Sequence, residues 1–159
     1  VEYVTDFHKE SSDMEAALRQ CDRIVMAIGQ WDFSHQHGRA PVSFDEYEES
    51  IDQALKKLHQ LVPNVPILGR NIHFNGLGKK YIKCPPWDWR SPTSIREMTR
   101  IVRNAFASHG EQFSFVDTNF IVEPMWDGAE DWSHLETPVR AAETLYLLLE
   151  ALKLPSDQV

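Results

Sequence analysis

The sequence predicts an α/β domain, with a mainly parallel β-sheet covered by helices. Three observations carry this. Short apolar runs alternate along the chain with segments of 3.6-residue apolar periodicity. The run from Arg23 to Ile28 is continuously apolar after its first residue and stops at Gly29, the pattern of a strand buried on both faces of a parallel sheet. Residues suited to chemistry gather just after the strand-like runs, where parallel α/β folds collect their function.

Taken in order, Val1 to Val4 is short and β-prone and reads as the end of a strand that begins upstream. Ser11, Ser12 and Asp13 offer helix N-caps, and Met14, Ala17, Leu18 and Cys21 fall on one helical face. After the Arg23–Ile28 strand, Phe33 to Pro41 reads as a loop. Ser43 then caps a strong helix whose apolar positions are Phe44, Tyr47, Ile51, Ala54, Leu55 and Leu58. Its acidic start and basic end suit the helix dipole. Pro63 and Pro66 bracket the turn into a strand at Ile67–Leu68, which runs towards Gly69-Arg70-Asn71. Asn75 to Arg90 is irregular and reads as a long loop near the site. Ser91-Pro92 opens a helix with apolar positions Ile95, Met98, Ile101, Val102, Ala105 and Phe106. Phe113 to Val116 is a third strand, followed by Asp117-Thr118. Val139 to Leu152 is a last helix with a wide apolar face.

Composition bounds the function classes. At 159 residues the chain suits a single domain spanning 1–159 with a sizeable core. Its 42% hydrophobic and 25% charged residues describe an ordinary globular chain. A net charge of -8 argues against nucleic acid, which needs a basic patch. No apolar run approaches the roughly 20 residues that span a bilayer. Val1 carries no signal-peptide pattern, and an initial Val suits a processed or excised piece, so the compartment stays open. Cys21 and Cys84 have no metal-type spacing; one disulfide and two thiols are both compatible with them.

The densest chemistry lies in Met125 to Leu135, which holds two tryptophans, several carboxylates and His134. Asp131 and His134, three residues apart on a strand-to-helix connection, can present a carboxylate and an imidazole to one point. A carboxylate that orients an imidazole is two-thirds of a nucleophilic triad. The plainer reading of such spacing is a local cap. Gly29 has its own plain reading, a tight turn, and Asn71 another, an Asx-turn. Asp32, His35 and His37 offer a His-x-His for zinc, but a further ligand at sensible spacing is missing, so no metal and no cofactor is expected. Gly76-Leu77-Gly78-Lys79-Lys80 lacks the spacing of a phosphate loop.

These places together resemble the SGNH hydrolase superfamily, most closely its PC-esterase branch. Gly29 in Ile28-Gly29-Gln30-Trp31 matches the family's glycine block, Asn71 in Gly69-Arg70-Asn71 its asparagine block, and Asp131-Trp132-Ser133-His134 its Asp-x-x-His block. Trp89-Arg90-Ser91-Pro92 ahead of a helix resembles the PC-esterase pattern. The resemblance runs from about Asp22 to about Leu152 and follows the element order. It implies a three-layer α/β/α sandwich of flavodoxin-like topology and an esterase or O-acyltransferase acting on ester-linked acyl groups, with a glycan ester or small-molecule ester as substrate. His134 is then the general base and Asp131 its orienting carboxylate, while Gly29 and Asn71 form the oxyanion hole. Trp31, Trp132 and Arg90 are assigned to substrate, the tryptophans by stacking on sugar rings and Arg90 through its planar fork. Trp87, Trp89 and Trp126 cluster near the same motifs. The resemblance also favours a secretory or extracellular setting.

One block is absent. No Gly-Asp-Ser, the family's nucleophile motif, precedes Gly29. The expectation is that this chain is the C-terminal portion of a longer domain, with the serine on an upstream segment of the same protein. The alternative is a catalytically inactive SGNH-like module that binds or serves an assembly.

Overall fold

Three parallel strands form the sheet, β1 (Ile24–Ala27), β2 (Ile67–Arg70) and β3 (Phe113–Val116), in spatial order β1-β2-β3. The structure, a computed structural model, describes residues 12–29, 32–33, 42–73, 89–125 and 134–154. In register, Ile24 faces Ile67 and Ile67 faces Phe113. Two crossover helices join the strands, α2 (Phe44–Leu61) and α3 (Pro92–Ser108). A short α1 (Ser12–Leu18) precedes the sheet; one helical turn, α4 (Asn119–Val122), and a long α5 (Thr137–Lys153) follow it. Val1 to Val4 and most of the Asn75–Arg90 loop lie outside the described residues.

Strand alternation sorts the sheet into two faces. Ile67 and Gly69 point to one side, where the rings of Phe106, Phe113 and Phe115 meet edge to face. Tyr47, Ile51, Leu55 and Leu58 of α2 and Ile95, Met98, Val102 and Phe106 of α3 complete this main core. Gly69 has no side chain because Phe106 occupies the space: a Cβ there would lie 2.3 Å from its ring. Leu68 points to the other side and packs against Leu147 and Ala151 of α5, with Val116 beside them. The sheet is thus the middle of three layers, as the alternation predicts.

Capping chemistry fixes the crossover helices. The Ser43 hydroxyl accepts from the Glu46 N–H at 3.2 Å, and the Glu46 carboxylate accepts from the Ser43 N–H at 2.7 Å, a complete capping box. Ser91 caps α3, its hydroxyl accepting from the Ser94 N–H at 3.1 Å, with Pro92 in the first turn.

Two features depart from the sequence reading. Strand β1 is not buried on both faces: Val25 is 40% exposed and Ala27 is exposed, on the side that α5 covers over β2. Among the described residues β1 pairs with β2 alone, so its apolar composition reflects a position at the margin of α5's cover. The wide apolar face of α5 is likewise split. Val139, Leu147 and Ala151 are buried, while Leu145, Leu148, Leu149 and Leu152 are 51–69% exposed. No helix of the described residues is long and apolar enough to cross a membrane.

Candidate functional site

Parallel pairing puts the carboxyl ends of β1, β2 and β3 at one edge. One step past the last paired residues, Ala27, Arg70 and Val116, come Ile28, Asn71 and Asp117. Gly29, two residues past β1, and Asn71, one past β2, thus both follow the ends of neighbouring strands, at the edge where such folds bind ligands.

Gly29 has φ +81°, a left-handed conformation that a Cβ disfavours. Tyr47 reinforces the requirement, since a Cβ on Gly29 would sit 2.3 Å from its ring. The Tyr47 hydroxyl donates to the Ile28 carbonyl at 3.4 Å, and burial holds the phenol far above its usual range, with Asp32 adding to the effect. The chain then turns back, the Asp32 N–H donating to the Gly29 carbonyl at 3.3 Å. Phe33 packs on Phe44 and Tyr47, and its carbonyl accepts from the Trp89 N–H at 2.9 Å, drawing residues 89–90 to the Gly29 turn. Arg90 is buried there, 3% exposed. Trp89 is 45% exposed.

Asn71 is fully buried. Its Oδ1 accepts from the backbone N–H of Thr118 and faces the Thr118 hydroxyl at 3.1 Å. A backbone N–H only donates, so the oxygen end of the amide must be the end turned to Thr118. The Nδ2 end therefore points the other way; one of its hydrogens goes to the Ile72 carbonyl at 2.9 Å. The amide still has a second N–H to give.

His134 is exposed and stands just ahead of α5. Its backbone is anchored by its neighbour: Leu135 is buried with Val139 and Val122, which fastens the start of α5 to the helical turn after β3. The structure thus puts Gly29 and Asn71 just past the ends of two neighbouring strands and secures the segment bearing His134 to the element that leaves the third strand. Asp131, Trp132, Trp31, Trp87, Trp126, His35, His37 and Cys84 lie outside the described residues. Among the described residues, no group of three His, Cys, Asp or Glu side chains is arranged to hold a metal ion.

Behind Asn71 lies a polar cluster that the sequence reading missed. Glu143, 5% exposed on the sheet-facing side of α5, accepts on Oε1 from His73 Nε2 at 2.6 Å and from the Thr118 hydroxyl at 2.7 Å. The Arg70 Nε lies 3.7 Å from the same oxygen, and an Arg70 Nη donates to the Asn71 carbonyl at 2.8 Å. Burial acts to raise the Glu143 pKa, but the donors from His73, Arg70 and Thr118 together outweigh it and hold it at about 2. Burial pushes the His73 pKa down, helped by Arg70 and opposed by Glu143, so the pair consists of a carboxylate and a neutral imidazole donating through Nε2. A signal for this cluster was available. Val139, Glu143, Leu147 and Ala151 recur every four residues on one helical stripe, and a carboxylate on an apolar stripe needs buried partners.

No family model matches the chain, and no curated protein gives a significant match. Solved structures do. A lipase/acylhydrolase from Enterococcus faecalis superposes with a TM-score of 0.60 at 16% identity, over 90% of this chain and 68% of that one. A carbohydrate esterase family 2 enzyme from Corynascus thermopiles (Myceliophthora fergusii) gives 0.54 at 18% identity, over 82% and 36%. A peptidoglycan O-acetylesterase gives 0.57 at 16% identity, over 89% and 41%. The chain therefore spans about two thirds of the first and well under half of the other two. It shares with them an α/β fold, a parallel sheet flanked by helices.

Proposed function

We propose that this chain supplies the general base and the oxyanion donors of an SGNH-type acyl hydrolase or O-acyltransferase whose serine comes from an upstream segment of the same protein. The observation that carries the reading is the placement of Gly29 and Asn71 just past the ends of neighbouring parallel strands, with the Asn71 amide turned so that its N–H end faces away from Thr118. The shared fold with acylhydrolases and esterases supports it. So does the surface: the uncovered side of β1 and the exposed leucines of α5 are apolar and suit further chain of the same domain.

In this reading the serine hydroxyl attacks the acyl carbonyl and His134 takes its proton, with Asp131 fixing the tautomer. Negative charge grows on the carbonyl oxygen, where the Gly29 N–H and an Asn71 Nδ2–H donate to it. Collapse expels the alcohol, to which His134 returns the proton. Water, or an acceptor hydroxyl in a transferase, then releases the acyl group by the same steps. Two of the structures that share the fold are esterases of carbohydrate and peptidoglycan, which favours an O-acylated glycan as substrate. Trp31 and Trp132 are the residues we assign to stacking on its rings. Burial of Arg90 argues that it holds the 89–91 segment in place instead of meeting the ligand.

The test is hydrolysis of a simple acetyl ester by the full-length protein. His134→Ala should lower kcat by about 10³-fold or more; unchanged turnover would remove the triad assignment. The second reading is an inactive binding module; both readings agree with the lack of a Gly-Asp-Ser within residues 1–159. A serine-directed fluorophosphonate separates the two: stoichiometric labelling of an upstream serine supports the enzyme, and none supports the module.

A further inference from the structure

The Glu143 cluster has a geometry that reaches beyond packing. Its members come from separate elements: Arg70 and His73 from β2 and its end, Thr118 from the end of β3, Glu143 from α5. The Thr118 hydroxyl has one hydrogen and two acceptors in reach, Glu143 Oε1 at 2.7 Å and Asn71 Oδ1 at 3.1 Å. The shorter bond to an ionised oxygen is the stronger, so the hydrogen goes to Glu143, and Asn71 is held by the Thr118 backbone N–H. Thr118 is thereby fixed on one side by a carboxylate and fixes an amide on the other.

We propose that Glu143 is a positioning residue that, through Thr118, sets the position of the Asn71 amide and ties it to the helix that follows His134. The proposal rests on the assignment of Asn71 to the oxyanion hole. An apolar residue at 143 would satisfy α5's packing stripe but would leave Thr118 with no acceptor on that side. The Asn71 amide would keep its orientation, fixed by the Thr118 N–H and the Ile72 carbonyl, but Thr118 would lose its tie to α5 and the amide its fixed position, so its donor would leave the place where charge develops. Arg70 and His73 complete the device from the strand side by keeping the carboxylate ionised while it is buried. Glu143 also lies on the helix whose first turn Leu135 and Val139 anchor, so one carboxylate couples the oxyanion donor to the base's supporting element.

The experiment follows the side-chain NH₂ signals of asparagine in the ¹⁵N-labelled full-length protein, with the Asn71 pair identified by its loss in Asn71→Asp. In Thr118→Val and in Glu143→Gln the Asn71 pair should shift or broaden while the other asparagines stay put. Thr118→Ser, which keeps the hydroxyl, should restore the wild-type signal. An Asn71 pair unmoved in both Thr118→Val and Glu143→Gln would overturn the proposal. Turnover is the second readout: Glu143→Gln should lower kcat about tenfold or more with KM within about twofold, and a loss confined to KM would overturn it. If the wild-type protein hydrolyses no ester, the esterase reading fails by itself, and the amide signal still decides the positioning claim.

Discussion

Replacing Glu143 by Gln should change how stability depends on pH, and by a calculable amount. The folded carboxyl titrates at about 2 against an ordinary 4.5. A carboxyl with a depressed folded pKa contributes stability that is fully present above 4.5 and is lost as pH falls towards 2. The gap of about 2.5 pH units, at roughly 1.4 kcal/mol per unit, amounts to about 3 kcal/mol. His73 adds a separate stage at higher pH. Burial, then Arg70, depress its pKa, so the unfolded imidazole takes a proton near 6.5 while the folded one does not. Stability therefore begins to fall as pH drops through 6.5, before Glu143 contributes to the loss.

Glutamine keeps the shape but has no charge to titrate, so the difference between wild type and Glu143→Gln reports the carboxylate together with its hold on His73. Urea unfolding at a series of pH values measures it. Near neutral pH the variant should be less stable by about 3 kcal/mol, and by about pH 3 the difference should narrow to roughly 1 kcal/mol. The His73 stage should persist in the variant, since removing the carboxylate removes the one influence that raises the imidazole's pKa. A difference that stays constant with pH would refute the reasoning, because it would mean that the Glu143 carboxyl is not held ionised by its partners.

Other positions give cleaner packing tests. Gly69→Ala puts a methyl 2.3 Å from the buried Phe106 ring and should cost about 1–3 kcal/mol in a thermal melt, with Phe106→Leu recovering part of it in the double variant; an unchanged Tm would show that the ring yields freely. Gly29→Ala meets both a left-handed φ of +81° and the Tyr47 ring, so it should lose at least the roughly 1–2 kcal/mol of the backbone term, read by the same melt. Ser43→Ala removes the hydroxyl half of the α2 capping box and should cost about 1 kcal/mol in urea unfolding; a loss within about 0.3 kcal/mol would mean that the cap is redundant.

How much of this was legible in the sequence follows from where each kind of information is stored. Strand and helix order was written locally: the run at Ile24, the caps at Ser43 and Ser91, and the periodicity of Phe44 to Leu58 each specify an element without reference to the rest. Gly29 and Asn71 were also within reach, since parallel pairing alone brings the residues after successive strands to one edge. The burial of β1 was not, because an apolar strand looks the same whether one or both of its faces are covered, and only the position of α5 over β2 decides it. The Glu143 cluster was hidden for a different reason. Thr118 lies 47 residues from Asn71 and Glu143 lies 70 from His73, and neither Thr118, His73 nor Glu143 belongs to a short motif. What the sequence did hold was a conflict: an ionisable residue on the buried stripe of an amphipathic helix. A carboxylate there is tolerable only if donors from other elements meet it, so its presence on the stripe amounts to a statement about the far side of the interface. The same logic makes the cluster informative about the site, because a chain that needed only to pack α5 against the sheet would be served as well by leucine at 143, and the residue present instead reaches Thr118 and, through it, Asn71.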